Sequence, residues 1–157
     1  MINRKGFTLI ELLVVIGILA ILLAITLIAI NPARQFGQAN DTRQRSDVLQ
    51  ILNGIHQFVA ENNGQLPATV AGLAVDTPTL LANTTALSPL CAQLVTNYLP
   101  ALPVIPTLNT PNITDCDGPA DDGVWGSTGY SISRDAADRI TVSGGNDVNG
   151  VAITVTR

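Results

Sequence analysis

Glu11 is the one charged residue between Lys5 and Arg34, and it stands inside the apolar run Phe7–Ile30. A lone carboxylate in such a run costs on the order of a few kcal/mol in a bilayer and marks a paired site. A single proteolytic cut can make the partner. Cleavage between Gly6 and Phe7 frees an α-amine four residues, about one helical turn, before Glu11. That amine on one copy can pair with Glu11 on a neighbour and fix axial register, as buried polar groups do in coiled coils. A plain anchor has no use for the acid. A secretory signal peptide would carry a shorter apolar core with a small-residue cut site after it, whereas here Gly6 precedes the run.

The other residues with chemical potential give weaker patterns. Cys91 and Cys116 are the two cysteines. An even count beyond an export segment favours a disulfide, which would close a loop of about 26 residues and contribute about 3 kcal/mol. Asp115, Asp117, Asp121 and Asp122 form the one acidic cluster, interleaved with Gly118 and Gly123. Oxygen ligands so spaced suit calcium, yet the EF-hand pattern is missing and no bidentate Glu follows. Asp and Gly also build solvated turns, the reading favoured here. No cofactor is expected, with calcium on those four aspartates as the alternative. His56 is the sole histidine and cannot build a zinc site alone, so packing or surface exposure is expected. Tyr98, Trp125 and Tyr130 have no basic residues close by in sequence, which favours core packing over base stacking.

The elements that position these residues follow from periodicity. Phe7–Ile30 is apolar all round and long enough to span a bilayer. Arg4 and Lys5 precede it, so the positive-inside rule leaves the N-terminus in the cytoplasm and the rest outside. Val48, Ile51, Leu52, Ile55, Phe58 and Val59 form one helical stripe, and Arg43, Arg45, Asp47, Gln50 and Gln57 fall mostly off it. Asn62-Asn63-Gly64 and then Pro67 stop the helix. The pattern predicts one helix over Phe7–Asn62, about 56 residues and roughly 80 Å, weakest around Ile28–Phe36 because Pro32 and Gly37 fall there.

Residues 64–123 are punctuated by prolines. Leu90–Leu99 is predicted helical, with Ser88 as N-cap and Pro89 at the first position. Ala101–Pro111 can be neither regular helix nor central strand. In residues 124–157, Tyr130/Ile132, Ile140/Val142 and Val151/Ile153/Val155 alternate with Ser, Thr and Ala, predicting an antiparallel sheet with one apolar and one hydroxyl face. Asp135–Asp138 and Gly144–Gly150 are the predicted turns. The sheet should cover the stripe Val48–Val59.

The bulk numbers agree with one modest domain beside an anchor. The chain has 157 residues, 13% of them charged, and a net charge of −4. Without the leader it would hold six basic residues against twelve acidic ones, so no basic patch supports nucleic-acid binding.

Lys5-Gly6-Phe7-Thr8-Leu9-Ile10-Glu11-Leu12-Leu13-Val14-Val15 resembles the class III signal of type IV pilins and type II secretion pseudopilins. The resemblance is close over about the first 30 residues, though many pilins carry a proline where Ile28 stands. It implies a 1–6 leader removed by a prepilin peptidase, N-methylation at Phe7, a 7–30 transmembrane and filament-core helix, and a 31–63 amphipathic half. The fold implied is an α+β ladle, with the long helix packed on a C-terminal antiparallel sheet of three to four strands. The function implied is that of a structural subunit, not an enzyme, in a homo-oligomeric helical filament. Its partners would be the prepilin peptidase, the pilus assembly platform and motor, and the inner membrane before assembly on the cell surface. The alternatives are a secretion pseudopilin and a membrane-anchored binding domain without a filament. Asn83-Thr84-Thr85 and Asn112-Ile113-Thr114 also fit the short N-glycosylation sequon.

Overall fold

The computed structural model describes residues 6–116 and 126–157. It divides the chain into two compact units, Met1–Phe36 and Gly37–Arg157. The first is dominated by α1, Leu9–Ile30, in which no residue is buried. The expected long helix over Phe7–Asn62 runs from Leu9 and continues to Glu61, interrupted at one residue. Asn31 takes a left-handed backbone, φ 38° and ψ 80°, and α2 runs Pro32–Glu61. Proline cannot donate to the preceding turn, and Asn tolerates the left-handed conformation better than most residues. Asn31 then caps the new helix, its carbonyl and Oδ1 accepting from Arg34 N–H at 3.2 and 3.4 Å. The break lies inside the Ile28–Phe36 window predicted to be weak.

In the second unit the strands form an antiparallel sheet of order β1-β2-β3-β4: Thr79–Ala82, Ser127–Arg134, Ile140–Asn146 and Ala152–Thr156. The apolar alternation is as predicted for Tyr130, Ile132, Ile140, Val142 and Ile153, all buried. Val151 is not part of that face; it precedes β4 and is exposed. Gly144 and Gly145 lie in β3, at a register irregularity, rather than in the turn. The fourth strand, β1, comes from the proline-rich region. Four residues after Pro78 carry no alternation to announce it, and pairing with β2 creates it.

Helix α3 is Ala68–Ala71 and α4 is Ser88–Leu94, followed by a 3-10 turn at Pro106–Leu108. The predicted Leu90–Leu99 helix is thus shorter and starts earlier. Ser88 is its first helical residue, and Leu87 holds the cap position without a side-chain cap bond. Cys91 on α4 is disulfide-bonded to Cys116, with Cα atoms 5.6 Å apart. Replacing both cysteines by Ser is expected to cost about 3 kcal/mol, read as a lowered denaturant midpoint.

Val48, Ile51, Leu52 and Ile55 of α2 share one core with Leu81, Leu87, Leu90, Leu94, Tyr130, Ile132, Ile140 and Ile153. Phe58 packs at its rim and meets Tyr98 edge to face, ring centroids 6.0 Å apart. Beside the apolar stripe runs a polar row that ties α2 to the sheet. Asp41 Oδ2 accepts from Val148 N–H at 3.0 Å, Gln44 Oε1 from Gly145 N–H at 3.1 Å, and Asp47 Oδ2 from Tyr130 O–H at 2.8 Å. Gln44 and Asp47 are buried, so Asp47 does not lie off the packed face as its polarity suggested. Gly129, at φ +78°, is required twice over: its backbone is left-handed, and a Cβ would drive into Ile105. Gly129→Ala should therefore cost about 1–3 kcal/mol from backbone strain alone, measurable by thermal melting.

The turn Asp147–Val151 joins β3 to β4. Asp147 Oδ1 accepts from Asn149 and Val151 N–H at 2.8 and 2.9 Å, and Oδ2 meets Arg45 at 3.4 Å. The backbone bonds first, and Arg45 after them, hold the carboxyl below its ordinary value of 3.8. A depressed folded pKa contributes stability that is complete above the unfolded value and lost as pH falls through the folded one. The fold should therefore weaken below about pH 3.8, and Asp147→Asn should flatten that acid limb in a stability-against-pH series.

Candidate processing and assembly site

The site is built around the first turn of α1. Thr8 is its N-cap, with extended backbone at φ −80° and ψ 153°. Glu11 N–H donates to Thr8 Oγ1 at 3.3 Å, while Thr8 N–H and Thr8 Oγ1 both donate to Glu11 Oε2 at 2.8 Å. This reciprocal arrangement is a capping box, which satisfies helix N–H groups that have no partner in the preceding turn. The Thr-x-x-Glu spacing was visible in the sequence, but the reading there gave Glu11 only an intermolecular partner. Within one chain, Glu11 also starts the helix.

The cap has a consequence for processing. Gly6 and Phe7 lie ahead of the helix, and both are exposed. A protease must hold its scissile bond in extended backbone, and helix initiation at Leu9 leaves Gly6–Phe7 outside the hydrogen-bonded turns. Among the described residues nothing lies within 4 Å of where a Cβ on Gly6 would stand, so they leave the bond uncrowded on that side.

The rest of α1 presents an uncovered apolar surface. Its 22 residues include Leu12, Ile16, Leu19, Leu23 and Leu27, each more than half exposed. At 1.5 Å per residue the helix reaches about 33 Å, enough for a hydrocarbon core of about 30 Å. It qualifies as a membrane span by length and composition. Thr26 does not leave its hydroxyl bare in that surface; it donates to Leu23 C=O at 2.9 Å.

The other sequence candidates that the structure describes belong to the second unit. Asp115 lies just before Cys116, while Asp117, Asp121, Asp122 and Trp125 lie outside the described residues, as do Arg4 and Lys5. Among the described residues no group of three or more His, Cys, Asp or Glu side chains could hold a metal ion. His56 is half-buried on α2, and burial first, then the Arg157 charge, lowers its pKa. Tyr98 donates to Glu61 at 2.8 Å, and Tyr130 is fully buried. Asn112 of the second sequon uses Oδ1 to accept from Val104 N–H and Arg43, at 3.2 and 3.4 Å.

Residues 1–27 match the family model described as the prokaryotic N-terminal methylation motif. No curated protein and no solved structure matches the chain. The matched motif is the class III signal that pilins and pseudopilins share. It implies processing by a prepilin peptidase and service in pilus or secretion machinery in general. It indicates a structural protein rather than an enzyme, and the single N-terminal apolar helix fits single-pass membrane anchoring.

Proposed function

We propose that this chain is a structural subunit of a type IV pilus. The observation that carries the reading is the pairing of an uncovered apolar helix with one acid, placed one turn beyond a cleavable Gly6–Phe7 bond. Arg4 and Lys5 hold the precursor's N-terminus in the cytoplasm. A prepilin peptidase cuts after Gly6, and the Phe7 amine is methylated. The inner membrane then stores the subunit through α1, until the assembly platform and motor extract it.

Extraction and assembly must be concerted. Apolar surface moved from lipid to water costs about 25 cal/mol per Å², so α1 leaves the bilayer only as neighbouring helices replace the lipid. Glu11 then exchanges its hydrogen bonds with Thr8 for the Phe7 amine of a neighbour, and the ion pair sets axial register.

The hydroxyl-rich outer sheet face and the Cys91–Cys116 bridge suit a fibre exposed outside the cell, where thiols oxidise. Mechanical shearing followed by electron microscopy and immunoblotting tests the reading. Fibres containing the chain in the sheared fraction are expected. Retention in the periplasm would indicate a pseudopilin of a type II secretion system. Retention in the membrane without filaments would indicate an anchored binding domain.

A further inference from the structure

We propose that the outer edge of β4 is a self-association surface, on which a second copy of this chain lays its own β4 antiparallel about Thr154. The inference needs only the folded second unit and does not depend on packing of α1.

The hydrogen-bond parity of the β3–β4 ladder identifies the outward groups. Ile140 and Arg157 exchange both backbone bonds, at 2.9 and 3.0 Å. Residues opposite one another in antiparallel strands alternate between bonded and non-bonded pairs. Val142 and Val155 are therefore a bonded pair, while Thr141/Thr156 and Ser143/Thr154 are not. At the other end Asp147 N–H donates to Val151 C=O at 2.8 Å, which leaves the Asn146/Ala152 pair non-bonded. The N–H and C=O groups of Ala152, Thr154 and Thr156 thus all point away from β3. Among the described residues nothing pairs with them.

The two edges of the sheet are treated differently. At the β1 edge the Thr85 hydroxyl sits 2.8 Å from Leu80 C=O and 2.9 Å from Ala82 C=O, and Thr85 N–H donates to Ala82 C=O at 3.2 Å. The chain folds over that edge and occupies its carbonyls. The β4 edge, Ala152-Ile153-Thr154-Val155-Thr156, has no proline, no lysine and no inward charge, the devices that normally blunt an edge strand.

The occupant follows from self-complementarity. Pairing two β4 strands about Thr154 sets Thr154 against Thr154 and Ala152 against Thr156, each as a bonded pair. The small and hydroxyl side chains stay together, extending the row in which Thr141 and Thr156 hydroxyls already meet at 2.7 Å. Ile153 falls opposite the partner's Val155, so the half-buried Val155 gains an apolar neighbour. Arg157, which makes no ion pair among the described residues, falls opposite the partner's Val151, next to the partner's Asp147. Shifting the pairing by one residue would mix the two faces.

The test uses the full-length chain in detergent, with cysteine placed at Thr154 or, as control, at Thr141 on the same face one strand inward. Bonded pairs place Cα atoms about 5.5 Å apart, within the range of about 4.4–6.8 Å that a disulfide spans. Thr154→Cys should give a covalent dimer several-fold more abundant than Thr141→Cys, with Cys91–Cys116 intact. Thr156→Pro deletes an outward N–H together with the hydroxyl that meets Thr141, so it should abolish the self-association of the otherwise wild-type chain, read by sedimentation, with a melting curve shifted no further than that of Thr156→Val, which loses the hydroxyl but keeps the N–H. Equal, near-background crosslinking of Thr154→Cys and Thr141→Cys in folded chains overturns the proposal. So does an undiminished dimer in Thr156→Pro. Another register, or a different protein on this edge, gives the first of those results.

Discussion

Cells producing Glu11→Ala should yield at least about a hundredfold fewer sheared filaments than wild type, with cleavage at Gly6–Phe7 still complete. Leaving one partner of a buried ion pair alone costs about 3–5 kcal/mol, and every 1.4 kcal/mol is about tenfold in an equilibrium constant. In the unassembled chain the substitution also removes the capping box, in which Glu11 accepts from Thr8 N–H and Oγ1. Glu11→Gln separates the two roles, because Gln at that position still closes a capping box but cannot neutralise an amine. The Gln variant should assemble as poorly as the Ala variant. Filament yields restored to wild type by Gln would reduce Glu11 to a helix-starting residue and sink its register role. Immunoblots of leader cleavage accompany both variants, so that a processing defect is not mistaken for an assembly defect.

The second large effect is on stability. Tyr130→Ala should lower the unfolding free energy by about 4 kcal/mol or more. Truncating a buried aromatic costs about 3–5 kcal/mol, and here it also strands Asp47, whose carboxylate accepts from Tyr130 O–H at 2.8 Å. Arg43, 3.9 Å from Asp47, is half-exposed and compensates little. Tyr130→Phe keeps the packing and should cost only about 1–3 kcal/mol. The alkaline limb carries the same signature. Burial first, then Asp47, raises the Tyr130 pKa well above its ordinary value of 10. A raised pKa contributes stability that is complete below the unfolded value and lost as pH climbs past it. Wild type should therefore lose stability above pH 10 more steeply than Tyr130→Phe, in chemical denaturation followed across that range. Parallel alkaline limbs would show that the buried phenol is not what titrates.

The parts legible in sequence are those whose signal is local. The Gly6-Phe7 pair and Glu11 stand out because one acid in an apolar run has no neighbours to hide among. The stripe Val48–Ile55 and the alternation through Tyr130, Ile140 and Ile153 repeat at periods of 3.6 and 2, which burial on one face demands. Pro32 marks the weak point of the helix because a missing N–H is a covalent fact.

What stayed hidden depends on partners distant in sequence. Gln44 and Asp47 look like solvent-facing helix residues until Gly145 and Tyr130 arrive to satisfy them. The strand Thr79–Ala82 has no pattern of its own, and β2 supplies its reason to be extended. In α4, the predicted continuation to Leu99 fails because the chain turns at Val95–Leu99, where Thr96 N–H takes Leu99 C=O at 2.8 Å. The Thr8–Glu11 cap was readable, but a carboxylate can serve its own helix before it serves a neighbour, and only the geometry shows the first use.

The most direct test of the account is mass spectrometry of filaments sheared from the cell surface. The account predicts an N-terminal peptide beginning at Phe7, carrying one methyl on its α-amine and no trace of Met1–Gly6. Surface filaments that lack this chain, or that contain it with residues 1–6 still attached, would contradict it, because the amine proposed to meet Glu11 would then not exist.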